Sequence, residues 1–147
     1  MSINNPYQQY KKNQIETADQ GKLIVMLYDG AIKFISRAIE LMDRKKVTGE
    51  DIETIHKNII RTQDIITELM SSLNMDAGDI SQRLFSIYMY MNNKLIEGNI
   101  QKDSKPLTEV KNHLIELREA WFQAAKTVAQ DPKQAVGSGA GGINIAT

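Results

Sequence analysis

The chain has 147 residues, of which 41% are hydrophobic and 24% charged, so it is long enough for one globular domain with its own apolar core. Lys and Arg together total 18, as do Asp and Glu, and the resulting zero net charge gives no reason to expect binding to nucleic acid or to an anionic membrane. Cysteine is absent, which excludes disulfides, thiolate metal sites and cysteine nucleophiles and fits a reducing cytoplasm.

The first segment, residues 1–16, is polar and predicts a mobile N-terminal arm. It lacks the basic and apolar regions of a signal peptide, and no later apolar run is long enough for a transmembrane helix, so we expect a cytoplasmic protein. Tyr7, Tyr10 and Ile15 are large apolar side chains that a solvated linker does not need. We therefore expect them either to shield part of the folded domain or to contact a partner directly.

Two amphipathic helices are predicted in the first half of the chain. The first begins near Thr17 and ends at residues 43–46, and the second opens at Thr48. Their apolar stripes recur at three- to four-residue steps. In the first helix the stripe comprises Leu23, Leu27, Ala31, Phe34, Ala38 and Met42, widened by Ile24, Tyr28, Ile35 and Ile39; in the second it comprises Ile52, Ile55, Ile59, Ile66, Leu69 and Leu73.

Two further helices are predicted in the second half. The third opens at Asp79 and ends at Gly98 and Asn99, with Gly98 as a C-terminal glycine, and Pro106 lies in the first turn of the fourth after a linker at residues 101–105. Because Trp121 lies on the fourth stripe, we expect it to be buried and Trp121→Ala to cost about 3–5 kcal/mol. The stripes are Ile80, Leu84, Ile87, Tyr88, Met91 and Leu95 in the third helix, and Val110, Leu114, Leu117, Trp121, Ala125 and Val128 in the fourth.

Four helices of similar length joined by short turns predict an all-α, antiparallel up-down-up-down four-helix bundle over residues 17–130. Residues 131–147 are predicted to form a disordered tail, since the stretch after Val136 is rich in Gly and Ala and cannot build a core.

Candidate catalytic and metal-binding patterns are weak. Glu53 and His56 have the Glu-x-x-His spacing of di-iron bundles, but His113 lacks a matching glutamate three residues before it. No serine lies in a nucleophile elbow, and the glycines of residues 137–142 lack the strand, helix and lysine of a phosphate loop. We therefore expect no catalytic site, metal or cofactor, and no enzyme.

The third helix carries more apolar surface than one buried stripe requires. Phe85 and Met89 lie off that stripe, and neighbouring aromatic and methionine side chains extend the apolar character around the helix. Either adjacent helices or the arm cover this surface, or it docks a partner, for which flexible methionines are well suited. In the first helix, Gly30 indicates close approach of another segment, from within the bundle or from a ligand helix.

With these residues in place, the chain resembles the flagellar secretion chaperones, the export chaperones specific for flagellin. The most specific part of the resemblance is Met-Leu-Tyr-Asp-Gly-Ala at residues 26–31. Residues 5–10, 78–95 and 117–121 also match the family pattern. The resemblance implies a four-helix bundle that binds the disordered C-terminal segment of flagellin, prevents its premature polymerisation in the cytoplasm and delivers it to an export gate component of the flagellar secretion apparatus.

A partner-binding surface follows from the resemblance and from the apolar residues together. It comprises Tyr7, Tyr10, Ile15, Leu23, Leu27, Tyr28, Phe85, Tyr88, Met89, Met91 and Leu95. We expect no nucleic acid partner and no membrane insertion, and we consider a homodimer of the free protein. The competing hypotheses are a helical adaptor or self-associating bundle with an unrelated helical partner, and a metal-binding bundle enzyme.

Overall fold

The computed structural model describes residues 20–130, with the backbone alone for residues 128–130. Within these bounds the chain forms four α-helices and no strand: α1 (Gln20–Met42), α2 (Gly49–Ser71), α3 (Asp79–Gln101) and α4 (Ser104–Gln130), with a 3-10 turn at Met75–Ala77 before α3. The predicted all-α fold is confirmed. The predicted helix start at Thr17, the arm at residues 1–16 and the tail at residues 131–147 lie outside the described residues.

The helices form a closed antiparallel ring in the order α1, α2, α3, α4 and back to α1. Gly30 of α1 faces Ile65 of α2, whose Cδ1 would lie 3.2 Å from a Cβ at Gly30, and one turn further along α1 the Phe34 ring lies under Arg61. This crossing explains the glycine inside α1, because the approach comes from within the bundle. The topology is the predicted up-down-up-down bundle.

The core runs along the axis of this ring, but the buried stripe of α1 is rotated from its predicted position. Leu23 is exposed, and Leu27, Phe34 and Met42 are only half-buried. Apolar residues span a wide arc of α1, so periodicity alone could not fix which edge of that arc faces inward. The large apolar side chains of the core include Ile24, Tyr28, Ile35 and Leu41 of α1, Ile55, Ile59, Ile66 and Leu69 of α2, Leu84, Tyr88, Met91 and Leu95 of α3, and Leu107, Val110 and Leu114 of α4.

The start of α2 is fixed by a reciprocal cap. The Asp51 backbone N–H donates to Thr48 Oγ1 at 3.0 Å, and the Thr48 backbone N–H donates to Asp51 Oδ2 at 3.1 Å. Two backbone donors that a helix would leave unpaired are thereby satisfied. The backbone hydrogen bond from Thr48 lowers the pKa of Asp51. The predicted opening of this helix at Thr48 is confirmed.

The predicted end of the third helix at Gly98 and Asn99 is wrong. Helix α3 continues to Gln101, and Lys102 takes the left-handed conformation, with φ 51°, that ends it. Gly98 is instead a point of close packing, since an added Cβ would stand 2.2 Å from Leu107 Cδ1 and 3.1 Å from the Asp103 carbonyl oxygen. The absence of a side chain at Gly98 thus lets α4 start against α3. As predicted, Pro106 lies in the first turn of α4.

Trp121 is half-buried rather than buried, although it packs against the core. It lies near the end of α4, where neighbouring residues are exposed, so less contact is lost when it is truncated. We expect Trp121→Ala to lower the free energy of unfolding by about 1.5–2.5 kcal/mol, roughly half the cost of a fully buried aromatic residue. Urea denaturation measures this, and a loss above about 3 kcal/mol would show that the indole is covered more completely than residues 20–130 indicate.

A buried hydrogen bond joins helices that face each other diagonally. The hydroxyls of Tyr28 on α1 and Tyr88 on α3 lie 2.5 Å apart. Burial raises the pKa of both tyrosines above the ordinary value, so both hydroxyls stay protonated well into the alkaline range. The pair thereby links α1 to α3 near the middle of both helices.

Candidate partner-binding surface

Helix α3 exposes large apolar side chains on both sides of its buried stripe. The buried residues follow the steps Leu84, Tyr88, Met91 and Leu95 expected of one core-facing seam. At 100° per residue, the remaining apolar residues fall on both flanks and on the outer face, except for Ile80, whose angle lies within the arc of the buried stripe. They are Ile80, Phe85, Ile87, Met89, Tyr90, Ile96 and Ile100. No described neighbour fully covers them, so α3 presents surface beyond what the bundle itself uses.

One flank forms an open groove with α4, which we call the α3/α4 groove. Its volume is about 550 Å³, and its apolar floor is formed by Ile87 and Leu117. The groove extends past Ile87 towards the start of α3 into a shallower depression beside Arg83. Its lining residues are Ser86, Ile87, Tyr90, Glu109, His113, Glu116 and Leu117. A groove between two antiparallel helices fits the side chains of a third helix.

Three polar residues in the wall of the α3/α4 groove are paired with one another. The Tyr90 hydroxyl donates to Glu109 Oε2, and His113 Nε2 lies 3.7 Å from the same carboxylate oxygen. The hydrogen bond from Tyr90 lowers the pKa of Glu109, and the same bond raises the pKa of Tyr90. Because these three side chains already have partners, the groove offers an incoming segment its apolar floor together with Ser86 and Glu116.

The end of the groove nearest the start of α3 leaves core-facing residues uncovered. Ile80 lies on the inner side of α3 by its helical angle, yet it is 50% exposed. Leu117 and Trp121 of α4 face the same region and are half-buried. The predicted stripe residues Ile80 and Ile87 are therefore exposed rather than in the core, as is Ile52 of α2.

The opposite flank of α3, towards α2, carries a second exposed row that we call the outer α3 flank. It consists of Phe85, Met89 and Ile96, spaced four and seven residues apart. Asn92 lies between them in the sequence and contacts Met70 Sδ of α2 at 3.8 Å, which places this flank along the α2 side. Phe85 and Met89, singled out from the sequence, remain 38% and 43% exposed.

The predicted partner-binding residues divide into three groups. Leu23, Phe85 and Met89 are exposed and Leu27 is half-buried, so a partner can reach them. Tyr28, Tyr88, Met91 and Leu95 lie in the core, where a partner could contact them only after the bundle opened. The remaining three, Tyr7, Tyr10 and Ile15, lie outside the described residues. Partner binding stays a prediction for all of them.

Sequence patterns alone do not reveal most of the α3/α4 groove. The spacing places Ile80 and Ile87 on the core stripe of α3 and Tyr90 in its wider apolar surface, and it indicates no binding role for Glu109 or His113. The groove depends on how α4 is rotated about its axis relative to α3. The spacing of residues within either helix does not reveal this rotation. The sequence feature that indicates this groove is the excess of apolar residues on α3. One core-facing stripe cannot bury all of them, so some must lie on the surface.

The two histidines make ordinary polar contacts. His56 Nδ1 lies 2.9 Å from Asn99 Nδ2, and His113 pairs with Glu109. Across residues 20–130, no three side chains of the His, Cys, Asp and Glu types are grouped closely enough to hold a metal ion. In the same range, no helix is both long and apolar enough to span a membrane.

A small helical bundle with one helix exposed on two apolar flanks has the surface of a protein-binding module. The sequence pattern of the family described as Flagellar protein FliS matches residues 3–128. The chain therefore belongs to the FliS family of flagellar proteins.

Individual relatives support the same family. The chain is 36% identical over 143 residues to the flagellar secretion chaperone FliS of Bacillus subtilis, an alignment that covers 97% of this chain and 99% of the relative. It is 32% identical over 133 residues to that of Campylobacter jejuni, with coverage of 88% and 100%. The Escherichia coli protein of the same name is 26% identical over 125 residues, with coverage of 82% and 88%.

Proposed function

We propose that this protein is a cytoplasmic chaperone, and not an enzyme, that binds the disordered C-terminal segment of flagellin. Binding prevents premature polymerisation, and the complex delivers flagellin to an export gate component. The names of the relatives support a role in flagellar secretion, and the surface of α3 supports binding of an apolar, amphipathic segment.

The observation that carries the proposal is the exposure of apolar residues on both flanks of α3. Ile87 and Leu117 line the α3/α4 groove, and Phe85 and Met89 form the outer α3 flank. A segment that folds on binding can place one stretch in the groove and continue around the helix, so it buries more surface than a preformed helix of the same length. Flagellin's C-terminal segment is disordered before assembly, as the family resemblance implies, and it therefore suits this surface.

The N-terminal arm has two proposed roles. Tyr7, Tyr10 and Ile15 either shield the apolar surface of α3 until flagellin displaces them or contact flagellin or the export gate directly. Removing residues 1–14 separates these roles, because loss of a shield tightens flagellin binding whereas loss of direct contacts weakens it.

Isothermal titration of the full chain with a synthetic peptide of the flagellin C-terminal segment tests the proposed function. We expect saturable binding with a negative heat-capacity change, since apolar surface is buried. A peptide from flagellin's N-terminal segment is the matched control. Trp121, the single tryptophan, lies one helical turn from Leu117 of the groove lining and gives a fluorescence readout of the same event. Equal binding of both peptides, or of neither, would instead favour a helical adaptor for another partner.

A further inference from the structure

A second depression lies between α1 and α2, on the side of the bundle opposite the α3/α4 groove. We call it the α1/α2 depression. Because the helices pack in the ring order α1 to α4, the α1–α2 edge and the α3–α4 edge face away from each other. Its volume is about 550 Å³, and it is lined by Lys33, Phe34, Ser36, Arg37, Glu40, Asn58 and Arg61.

The α1/α2 depression is cationic in a chain with no net charge. It gathers Lys33, Arg37 and Arg61 around a single carboxylate, that of Glu40, which lies 2.9 Å from Arg37 Nη1. Lys33 makes no ion pair with any residue between 20 and 130. The residues that line the depression therefore carry a formal excess of two positive charges.

The floor of the depression is aromatic. The guanidinium carbon of Arg61 lies 5.4 Å from the centroid of the half-buried Phe34 ring. Stacking of this kind holds the planar guanidinium in place while its N–H groups remain available to a carboxylate. The depression thus offers cations beside an apolar floor, which fits an acidic segment that also carries an apolar side chain.

We propose that the α1/α2 depression binds an acidic segment of a second protein, with its carboxylates on Lys33, Arg37 and Arg61 and an apolar side chain against Phe34. The occupant comes from another molecule because neither terminal segment of this chain is acidic: residues 1–19 carry Lys11, Lys12, Glu16 and Asp19, and residues 131–147 carry Asp131 and Lys133. This inference does not depend on flagellin binding. Since the two surfaces face opposite ways, both can be occupied at once.

The test uses the full chain and a fluorescein-labelled synthetic peptide of repeated Glu-Glu-Leu-Ala units at low salt, read by fluorescence anisotropy. We expect saturable binding that Lys33→Glu with Arg61→Glu weakens by about tenfold, because two attractive pairs become repulsive. The control, Lys105→Glu with Lys126→Glu, makes the same net charge change at exposed lysines of α4 and is expected to leave binding unchanged. Lys33→Gln with Arg61→Gln gives a milder variant if circular dichroism shows that the first one fails to fold.

Three results would overturn the proposal. The first is the absence of saturable binding by the wild-type chain. The second is an equal loss in the control variant, which would mean that overall charge rather than the depression attracts the peptide. The third is equal affinity for a peptide with serine in place of leucine, because the Phe34 floor would then contribute nothing and the site would be a general polyanion surface.

Discussion

Tyr88→Ala is expected to lower the free energy of unfolding by about 3–5 kcal/mol, the range for truncating a fully buried aromatic residue. The Tyr88 ring is buried on all sides, and its hydroxyl bonds that of Tyr28 across the diagonal of the bundle. The variant therefore loses core packing and a link between α1 and α3 together. Urea denaturation followed by circular dichroism at 222 nm measures the loss, and a change below about 1 kcal/mol would show that Tyr88 is not a core residue.

Phenylalanine variants separate the hydroxyl pair from the packing. Tyr88→Phe keeps the ring but removes one partner of the buried Tyr28 hydroxyl, and we expect a cost of about 1–3 kcal/mol. Adding Tyr28→Phe removes the orphaned group, so the double variant should be more stable than the sum of the two single losses implies. Strict additivity would mean that the two hydroxyls do not interact.

Ile87→Glu is expected to weaken binding of the flagellin C-terminal peptide at least about tenfold. Ile87 forms part of the apolar floor of the α3/α4 groove, and a carboxylate there would lose its hydration when the peptide binds. The fold should persist, because Ile87 is 36% exposed in the free bundle. Isothermal titration measures the change, with thermal melting as the check on folding.

Ile60→Glu is the matched control for Ile87→Glu. It makes the same substitution on α2, away from the surface of α3, at a side chain of similar exposure, 38% against 36%. Its affinity for the peptide should equal that of the wild type. An equal loss at both positions would point to added negative charge as the cause, and no loss at Ile87 would remove the α3/α4 groove from the binding surface.

Helix number and the opening of α2 could be predicted because local physics determines them. The reciprocal cap of Thr48 and Asp51 needs only neighbouring residues, and so does the position of Pro106 in a first turn. The end of α3 could not be predicted, because Gly98 serves packing against Leu107 rather than helix termination. A glycine near a helix end fits both roles, and only the position of the next helix distinguishes them.

The exposed apolar surface of α3 can be predicted from the sequence only in part, since an excess of apolar residues can be counted but not oriented. Phe85 and Met89 lie off the core stripe in sequence and are exposed in the bundle. Tyr88 and Met91 belong to the same apolar run but are buried. Successive residues of a helix are rotated by about 100° about its axis, so neighbours in this run fall on either the core side or the surface. The α3/α4 groove also requires Leu117 and Tyr90 from different helices, which no pattern within one helix reveals.

The most direct test of the account is an NMR titration of the full chain, labelled at the isoleucine δ1 methyl groups, with the flagellin C-terminal peptide. Isoleucine residues are present in all four helices, so their methyl signals report on each side of the bundle. We predict large shifts at Ile80 and Ile87 beside the α3/α4 groove and little change at the exposed Ile52 of α2 and Ile115 of α4. Shifts at Ile52 and Ile115 with none at Ile80 and Ile87 would contradict the assignment of α3 as the flagellin-binding helix.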